Sequence, residues 1–576
     1  MRRKALRLLV RALGPALGLV IRFRLPWVLR RRMLTLSARK WLERYNPRET
    51  PPVLPGDAPV RVAVLVDARG ATAQAVRRTL RSLAGASLAA PAIHFVAVHV
   101  VADQDAAETL ANALADAASP GPPRIWSADK LDALLGLAAG SADRCLCVCL
   151  NALCGVEFDE DALGHLCAVL DAGPDMAFAY CDEIVRRDGK TEVFCKPAWD
   201  KVLFETLNYV GPAVLVPSGL LAAARGGDHG LCGLAEELVQ FAATRAQGFV
   251  AHVPLPLLQV EAHGKAPYPQ RREARHATDS PPPAPPVSVI IPTRDRADLL
   301  AACLRTLRHT VAAPQRLEII LVDNGSACPA AKALLQAEAV SGSIVLRDAG
   351  DFNYSRLVNL GARAATGRFL LLLNNDIEFG APGWLEEMLG HALRPGTGCV
   401  GANLLYRNGM VQHAGVVLGV FSPMLDRHIA GHAHHGWSEA SGGYFGLLSH
   451  ARTVSAVTAA LLLVSAETYQ AVGGFNEVLA VALNDVDFCL KVGRQGLANI
   501  VVPVRGVIHL ESASRSLDNT ADKLERLGRE NEMLQTDWGH AILDDPFYSP
   551  NLDLDLLSYS LSHRPRPRTP RIRPVG

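Results

Sequence analysis

The strongest constraint on this chain lies in its second half, where short, wholly apolar runs alternate with amphipathic segments. VSVII (Val287 to Ile291), LEIILVD (Leu317 to Asp323), SIVLR (Ser343 to Arg347) and FLLLL (Phe369 to Leu373) are too short for helices and read as buried strands. After the first of them Leu299, Leu300, Cys303, Leu304 and Leu307 recur at helical spacing, and a further helix is predicted around Leu357 to Ala365. Strand and helix in alternation imply an α/β fold, a mostly parallel sheet with helices on both faces. Ligands of such sheets bind outside the carboxyl ends of the strands.

Polar residues gather at those ends. The first strand runs into Pro292-Thr293-Arg294-Asp295, the second into Asp323-Asn324-Gly325-Ser326 and the fourth into Asn374-Asn375-Asp376. A carboxylate there can accept hydrogen bonds from ribose hydroxyls or a base N–H, whereas one facing a pyrophosphate needs a cation between them. Asp376 suits the second role, because bare repulsion would cost roughly 4 kcal/mol per charge pair at intermediate dielectric. Any one of these residues alone reads equally as a helix cap or turn; three clusters on one sheet edge favour a site. Farther on, Asn484 is placed as the N-cap of a helix reaching about Arg494 and ended by Gly496. Asp485 then lies in the first turn, where the helix dipole keeps a carboxylate ionised and able to take a proton from an attacking hydroxyl.

VSVIIPTRDRADLL, LEIILVDNGS, GARAATGRFLLLLNND, GGFNEVLAVALNDVDFCLKVGRQG and IHLESASR, in this order, resemble a family 2 glycosyltransferase of the GT-A fold; MVQHAGVVLG and AGHAHH are similar to its bacterial cell-surface polysaccharide branch. The resemblance implies inverting transfer from a nucleotide-diphosphate sugar to a glycan or lipid-linked acceptor, with a divalent metal (Mn or Mg). Pro292, Thr293, Asp295, Asp323, Asn374 and Asn375 fall on nucleotide-binding positions, Asp376 and His509 on metal-contacting positions, and Asp485 on the catalytic base; His413 and Asp487 are placed on the acceptor side. The metal motif reads NND, and the acidic pair before the helix reads Asn484-Asp485. The Gly- and His-rich segment Ser422 to His450 is a candidate cover over the acceptor. Two rivals remain: a sugar nucleotidyltransferase, and a non-catalytic glycan-binding scaffold.

The first half is similar to a second, degenerate GT-A-like domain, notably in AFAYCDEIVRRDGKTEVFCKPAWDKVLFETLNYVGPAVLVPSGLL. RVAVLVDARG lacks the Pro-Thr pair, and Asn151-Ala152-Leu153 stands where the metal motif belongs; Glu236 and Glu237 lie near the base position. The predicted organisation is a basic, amphipathic membrane-associating segment at 1–50, the degenerate domain at 58–262, a Pro-rich linker at 263–286, the catalytic domain at 287–515, a helical extension at 516–562 and a disordered basic tail at 563–576.

Charge distribution narrows the partners. Residues 1–50 hold 14 Lys and Arg against two acids, while the rest of the chain is net acidic by 10. An acidic body argues against a nucleic-acid binder, and the basic arm suits an anionic membrane surface on the cytoplasmic side, a basic helix packed on its own protein, or a disordered leader. Its longest uncharged run, Ala12 to Ile21, is too short to span a bilayer. Gly396 to Gly401 matches GxGxxG but precedes an apolar stretch, so the dinucleotide reading fails on context. Cys145, Cys147 and Cys149 alternate along one strand as core thiols, and His428, His432, His434 and His435 read as a polar loop, since no acid or thiol accompanies them at ligand spacing.

Overall fold

A computed structural model describes residues 37–45, 60–262 apart from 131–144, 224–233 and shorter breaks, 285–510 apart from 313–316 and 423–424, and 521–576 apart from 555–558. Most of the basic segment 1–50 and of the linker 263–286 thus lies outside the described residues. The chain divides into a C-terminal unit, built on Arg275–Phe547 and Leu554–Ser560, and an N-terminal unit, built on Leu36–Ala274, Tyr548–Asp553 and Leu561–Gly576.

In the C-terminal unit the apolar runs are strands buried along their length: every residue of Val287–Thr293 and Phe369–Leu373 is inside, as central strands covered on both faces must be. Across the sheet the order is Ile344–Arg347, Leu317–Asp323, Val287–Thr293, Phe369–Leu373, Leu461–Ser465, Thr397–Ala402, Ala498–Val502 and Arg452–Val454. The first four are mutually parallel, Leu461–Ser465 is antiparallel to both its neighbours, and Thr397–Ala402 pairs parallel with Ala498–Val502. Helix Ala297–Thr310 buries the five apolar residues that its spacing predicts. Helix Tyr354–Ala364 packs so close to the sheet that a Cβ on Gly361 would run into Ile290. A separate four-stranded sheet orders Ile377–Phe379, Val507–His509, Leu404–Leu405 and Val411–His413 side by side.

The N-terminal unit repeats this arrangement of strands except at its outermost strand, which is Arg571–Pro574 and not a segment lying between its sixth and fifth strands in sequence, as Arg452–Val454 does. Its order is Pro123–Ser127, Ile93–Ala102, Val60–Asp67, Cys145–Asn151, Ala213–Pro217, Met176–Arg187, Phe249–Glu261 and Arg571–Pro574. Each neighbouring pair runs in the same sense as its counterpart in the other unit. Two copies of one α/β architecture, each with a mostly parallel central stretch, therefore stand in this chain, as the sequence resemblance implies.

Three expectations need correction. The stretch 563–576 is not structureless, because Arg571–Pro574 pairs antiparallel with Phe249–Val250-Ala251-His252 and Val575 is 1% exposed. The extension 516–562 is not one element: helix Ala521–Trp538 belongs to the C-terminal unit, whereas Tyr548–Asp553 belongs to the other. Within the 1–50 segment, helix Ala38–Tyr45 packs into the N-terminal unit, with Trp41 fully buried and its indole N–H donated to Ser562 O at 2.9 Å.

Candidate functional site

At the carboxyl edge of the sheet the first and fourth strands part at a proline. Pairing between Val287–Thr293 and Phe369–Leu373 runs from Val287 to Ile290 and stops short of Pro292, which has no N–H to extend it. Thr293 is buried; its Oγ1 accepts from Asn375 Nδ2 at 3.0 Å and its carbonyl from Asn324 N–H at 2.9 Å. Asp323 Oδ1 accepts from Ser326 N–H at 2.9 Å. Asp295 takes a left-handed φ of 60°, and its Oδ1 accepts from the N–H groups of Ala327 and Cys328 at 2.6 and 2.8 Å. Those two backbone donors hold its carboxyl below the usual range, so Asp295 ties the first strand end to the second.

Asp376 follows FLLLL and is 4% exposed. The small sheet sets Ile377 opposite His509, and His509 Nε2 lies 3.2 Å from Asp376 Oδ1. The other ring nitrogen, Nδ1, is 2.7 Å from Gln412 Oε1. Adjacent ligands of one six-coordinate ion bound at about 2.1 Å stand roughly 3 Å apart, so this carboxylate–imidazole pair has the donor chemistry and separation for a divalent cation. Among the described residues no three His, Cys, Asp or Glu side chains gather into a self-sufficient metal cluster. Two protein donors match an ion whose remaining ligands are substrate phosphates and water.

Helix Asn484–Arg494 carries the candidate base, and Gly496 follows it in a left-handed conformation, as expected. The cap, however, is Leu483 at φ 61°, one residue earlier than the sequence suggested. Asn484 is instead buried, its amide donating to Ser355 Oγ at 3.2 Å and Leu479 O at 3.4 Å. Asp485 is half-buried; its Oδ1 accepts from Val486 N–H at 2.9 Å and its Oδ2 from Ala459 N–H at 3.1 Å. Asp487 does not join the acceptor side. Two positions along a helix lie about 200° apart, and Asp487 Oδ1 accepts from Trp538 Nε1 at 3.0 Å while Oδ2 pairs with Lys491 Nζ at 2.7 Å.

The turn Thr458-Ala459-Ala460 gathers the remaining groups. Ala460 O accepts from Asn374 N–H at 3.0 Å, Ala459 N–H holds Asp485, and Thr458 N–H donates to His413 Nε2 at 3.3 Å. His413 is 1% exposed, and burial drives its pKa well below the ordinary value, with His432, Arg452 and His509 adding repulsion. Because Nε2 accepts backbone N–H bonds, His413 carries its proton on Nδ1, 2.7 Å from His432 Nδ1. Gln412, missed in the sequence, was signalled only by its place beside His413. Beyond them the candidate cover is a hairpin of Val416–Ser422 with Arg427–His432, then a loop whose buried His434 stacks on Tyr559.

The corresponding places in the N-terminal unit hold different chemistry. Leu150 pairs with Ala213 as Leu373 pairs with Leu461, so Asn151 stands where Asn374 does and is followed by Ala152 and Leu153. Glu183 and Lys196 form a fully buried ion pair against Gly211, where any Cβ would run into Glu183. Burial pushes the Glu183 carboxyl up to about 7 against the pull of Lys196. Asp182 binds His252 Nε2 at 2.7 Å and Asn551 Nδ2 at 2.9 Å. Glu236 is tied to Asn208 Nδ2 at 3.0 Å.

Comparison with known proteins gives a family match for part of the chain. Residues 288–450 match Glycosyl transferase family 2. The chain is 35% identical over 450 residues to an uncharacterized protein, y4gI, of Sinorhizobium fredii, an alignment covering 70% of this chain and 48% of that protein. It is 30% identical over 443 residues to the O-antigen biosynthesis protein RfbC of Myxococcus xanthus, covering 70% of this chain and 34% of the relative. The chain thus spans half or less of the length of these relatives. Among solved structures, a mannosyltransferase of Pyrobaculum calidifontis in complex with GDP-Man and Mn2+ aligns over 43% of this chain and 70% of that one, at 14% identity and a TM-score of 0.30.

Proposed function

We propose that the C-terminal unit, whose residues 288–450 match Glycosyl transferase family 2, is an inverting transferase that moves a sugar from a nucleotide-diphosphate donor to a surface polysaccharide or lipid-linked glycan. The observation that carries this reading is the turn at Thr458-Ala459-Ala460, which holds Asp485, His413 and the strand end leading to Asp376 in one hydrogen-bonded group. The O-antigen role in the name of RfbC supports a polysaccharide product.

In this reading Pro292, Thr293, Asp323, Asn374 and Asn375 line the nucleotide edge, and Asp295 shapes it. Asp376 and His509 hold the divalent cation, which when bound supplies positive charge for a departing diphosphate. Ala459 N–H fixes one oxygen of Asp485, and the carboxylate takes the acceptor proton as the acceptor oxygen attacks the anomeric carbon opposite the diphosphate. A single displacement inverts that carbon and needs no protein nucleophile. Among the described residues no helix is long and apolar enough to cross a membrane. The basic charge of residues 1–50 supports a peripheral position on the inner face of the plasma membrane.

The test is nucleoside-diphosphate release from a panel of nucleotide sugars with Mn2+ or Mg2+, in the parent and in Asp485→Asn. Metal-dependent release that falls by roughly 10²–10⁴ in the variant, with donor binding kept, supports the transferase. Pyrophosphate exchange would identify a nucleotidyltransferase, and a parent silent with every donor would favour the scaffold.

A further inference from the structure

Gln412 is 3% exposed and lies on Val411–His413, in the small sheet that also carries His509. Leu404 pairs with His413 and Leu405 with Val411, which leaves Gln412 as the extra residue of a bulge. Bulges re-aim a side chain, and this one reaches His509, with Oε1 at 2.7 Å from Nδ1. An amide oxygen only accepts, so Nδ1 bears a proton, and of the two neutral tautomers this contact selects the one whose Nε2 keeps its lone pair. Asn374 Nδ2 stands 3.4 Å from that nitrogen as a donor. Asp376 Oδ1 is 3.2 Å from the same atom.

Left to itself the imidazole would favour the other tautomer. An Nε2–H bond to the Asp376 carboxylate is charge-assisted and stronger than an Nδ1–H bond to a neutral amide. It would also tie up both donors, and an arriving cation would first have to break it. We propose that Gln412 is a positioning residue that holds His509 in its Nδ1–H form, keeping Nε2 and Asp376 together open to a divalent cation. The proposal rests on the reading of Asp376 and His509 as the cation site.

Two measurements on the full chain test it. In the metal-free protein labelled with [15N]histidine, the His509 signal, assigned by its loss in His509→Ala, reports the tautomer. Mn2+ binding is followed by the paramagnetic resonance of free Mn2+ in the presence of UDP or GDP. The parent is expected in the Nδ1–H form. Gln412→Leu is expected to move to Nε2–H and to bind Mn2+ about 10–100-fold more weakly, as loss of such outer partners does elsewhere. Gln412→Glu keeps an acceptor and stays within about threefold of the parent; Gln412→Met, close to Gln in shape, repeats the test if Leu lowers the melting temperature. A Gln412→Leu chain that keeps the Nδ1–H form, or binds Mn2+ like the parent while His509→Ala does not, overturns the positioning role alone. Parental binding by both His509→Ala and Asp376→Asn overturns the cation site and this proposal with it.

Discussion

Asp485 and Asp487 sit two residues apart on one helix, yet their replacement is expected to damage different properties. Asp487→Ala removes the acceptor of Trp538 Nε1 and the partner of Lys491. Trp538 is 7% exposed, so its orphaned indole N–H costs about 1–3 kcal/mol. Lys491 is 30% exposed, and its lost ion pair adds at most about 1 kcal/mol after solvent screening. The sum, about 1–4 kcal/mol, lowers the melting temperature of the C-terminal unit on the order of 10 °C. Turnover per folded molecule is unchanged, because Asp487 faces helix Ala521–Trp538. Asp485→Asn retains an oxygen for Ala459 N–H and stays within about 1 kcal/mol of the parent, while turnover falls roughly 10²–10⁴-fold. Nucleoside-diphosphate release normalised to the folded fraction from circular dichroism, beside thermal melts, separates the two effects. Loss of turnover in Asp487→Ala at an unchanged melting temperature would refute this division, as would full turnover in Asp485→Asn.

Other outcomes follow from the same geometry. Deleting residues 571–576 removes an edge strand, the burial of Val575 and the acceptor of Trp199 Nε1, for about 3–6 kcal/mol; hydrogen exchange should show Phe249–Glu261 losing protection. Gly361→Val forces a side chain against Ile290 and lowers stability by about 1–3 kcal/mol in thermal melts, with Gly361→Ala milder. His413 is neutral when folded because burial depresses its pKa, so the unfolded chain binds the extra proton below its ordinary value near 6.5. Stability therefore falls as pH drops below about 6.5, by at most roughly 1.4 kcal/mol per unit, and His413→Gln should flatten that slope in urea titrations.

The sequence announced whatever was local. Continuous apolar runs such as Phe369–Leu373 can only be buried strands, and the polar residues after them fall at the sheet edge because chain direction puts them there. Asp376 was singled out by the same route, Asp485 by its place in the first turn of an expected helix, and His509 by the family resemblance alone. Asp487 misled because its neighbour Trp538 lies 51 residues away and nothing local marks the helix face it occupies. Gln412 acts through a bulge defined by pairing with Leu404 and Leu405, which one strand read alone does not reveal. RPRPRTPRIRPVG looked structureless because prolines punctuate it, but an edge strand tolerates them, and its partner Phe249–Glu261 is far off in the chain.

That distant strand bears on how the chain is made. Ribosomal synthesis at about 5–20 residues per second leaves Phe249–Glu261 waiting on the order of 15–60 s for Arg571–Pro574 to emerge. The module translated first is thus the one whose sheet is finished second, and in the interval its open edge is what a chaperone would be needed to guard.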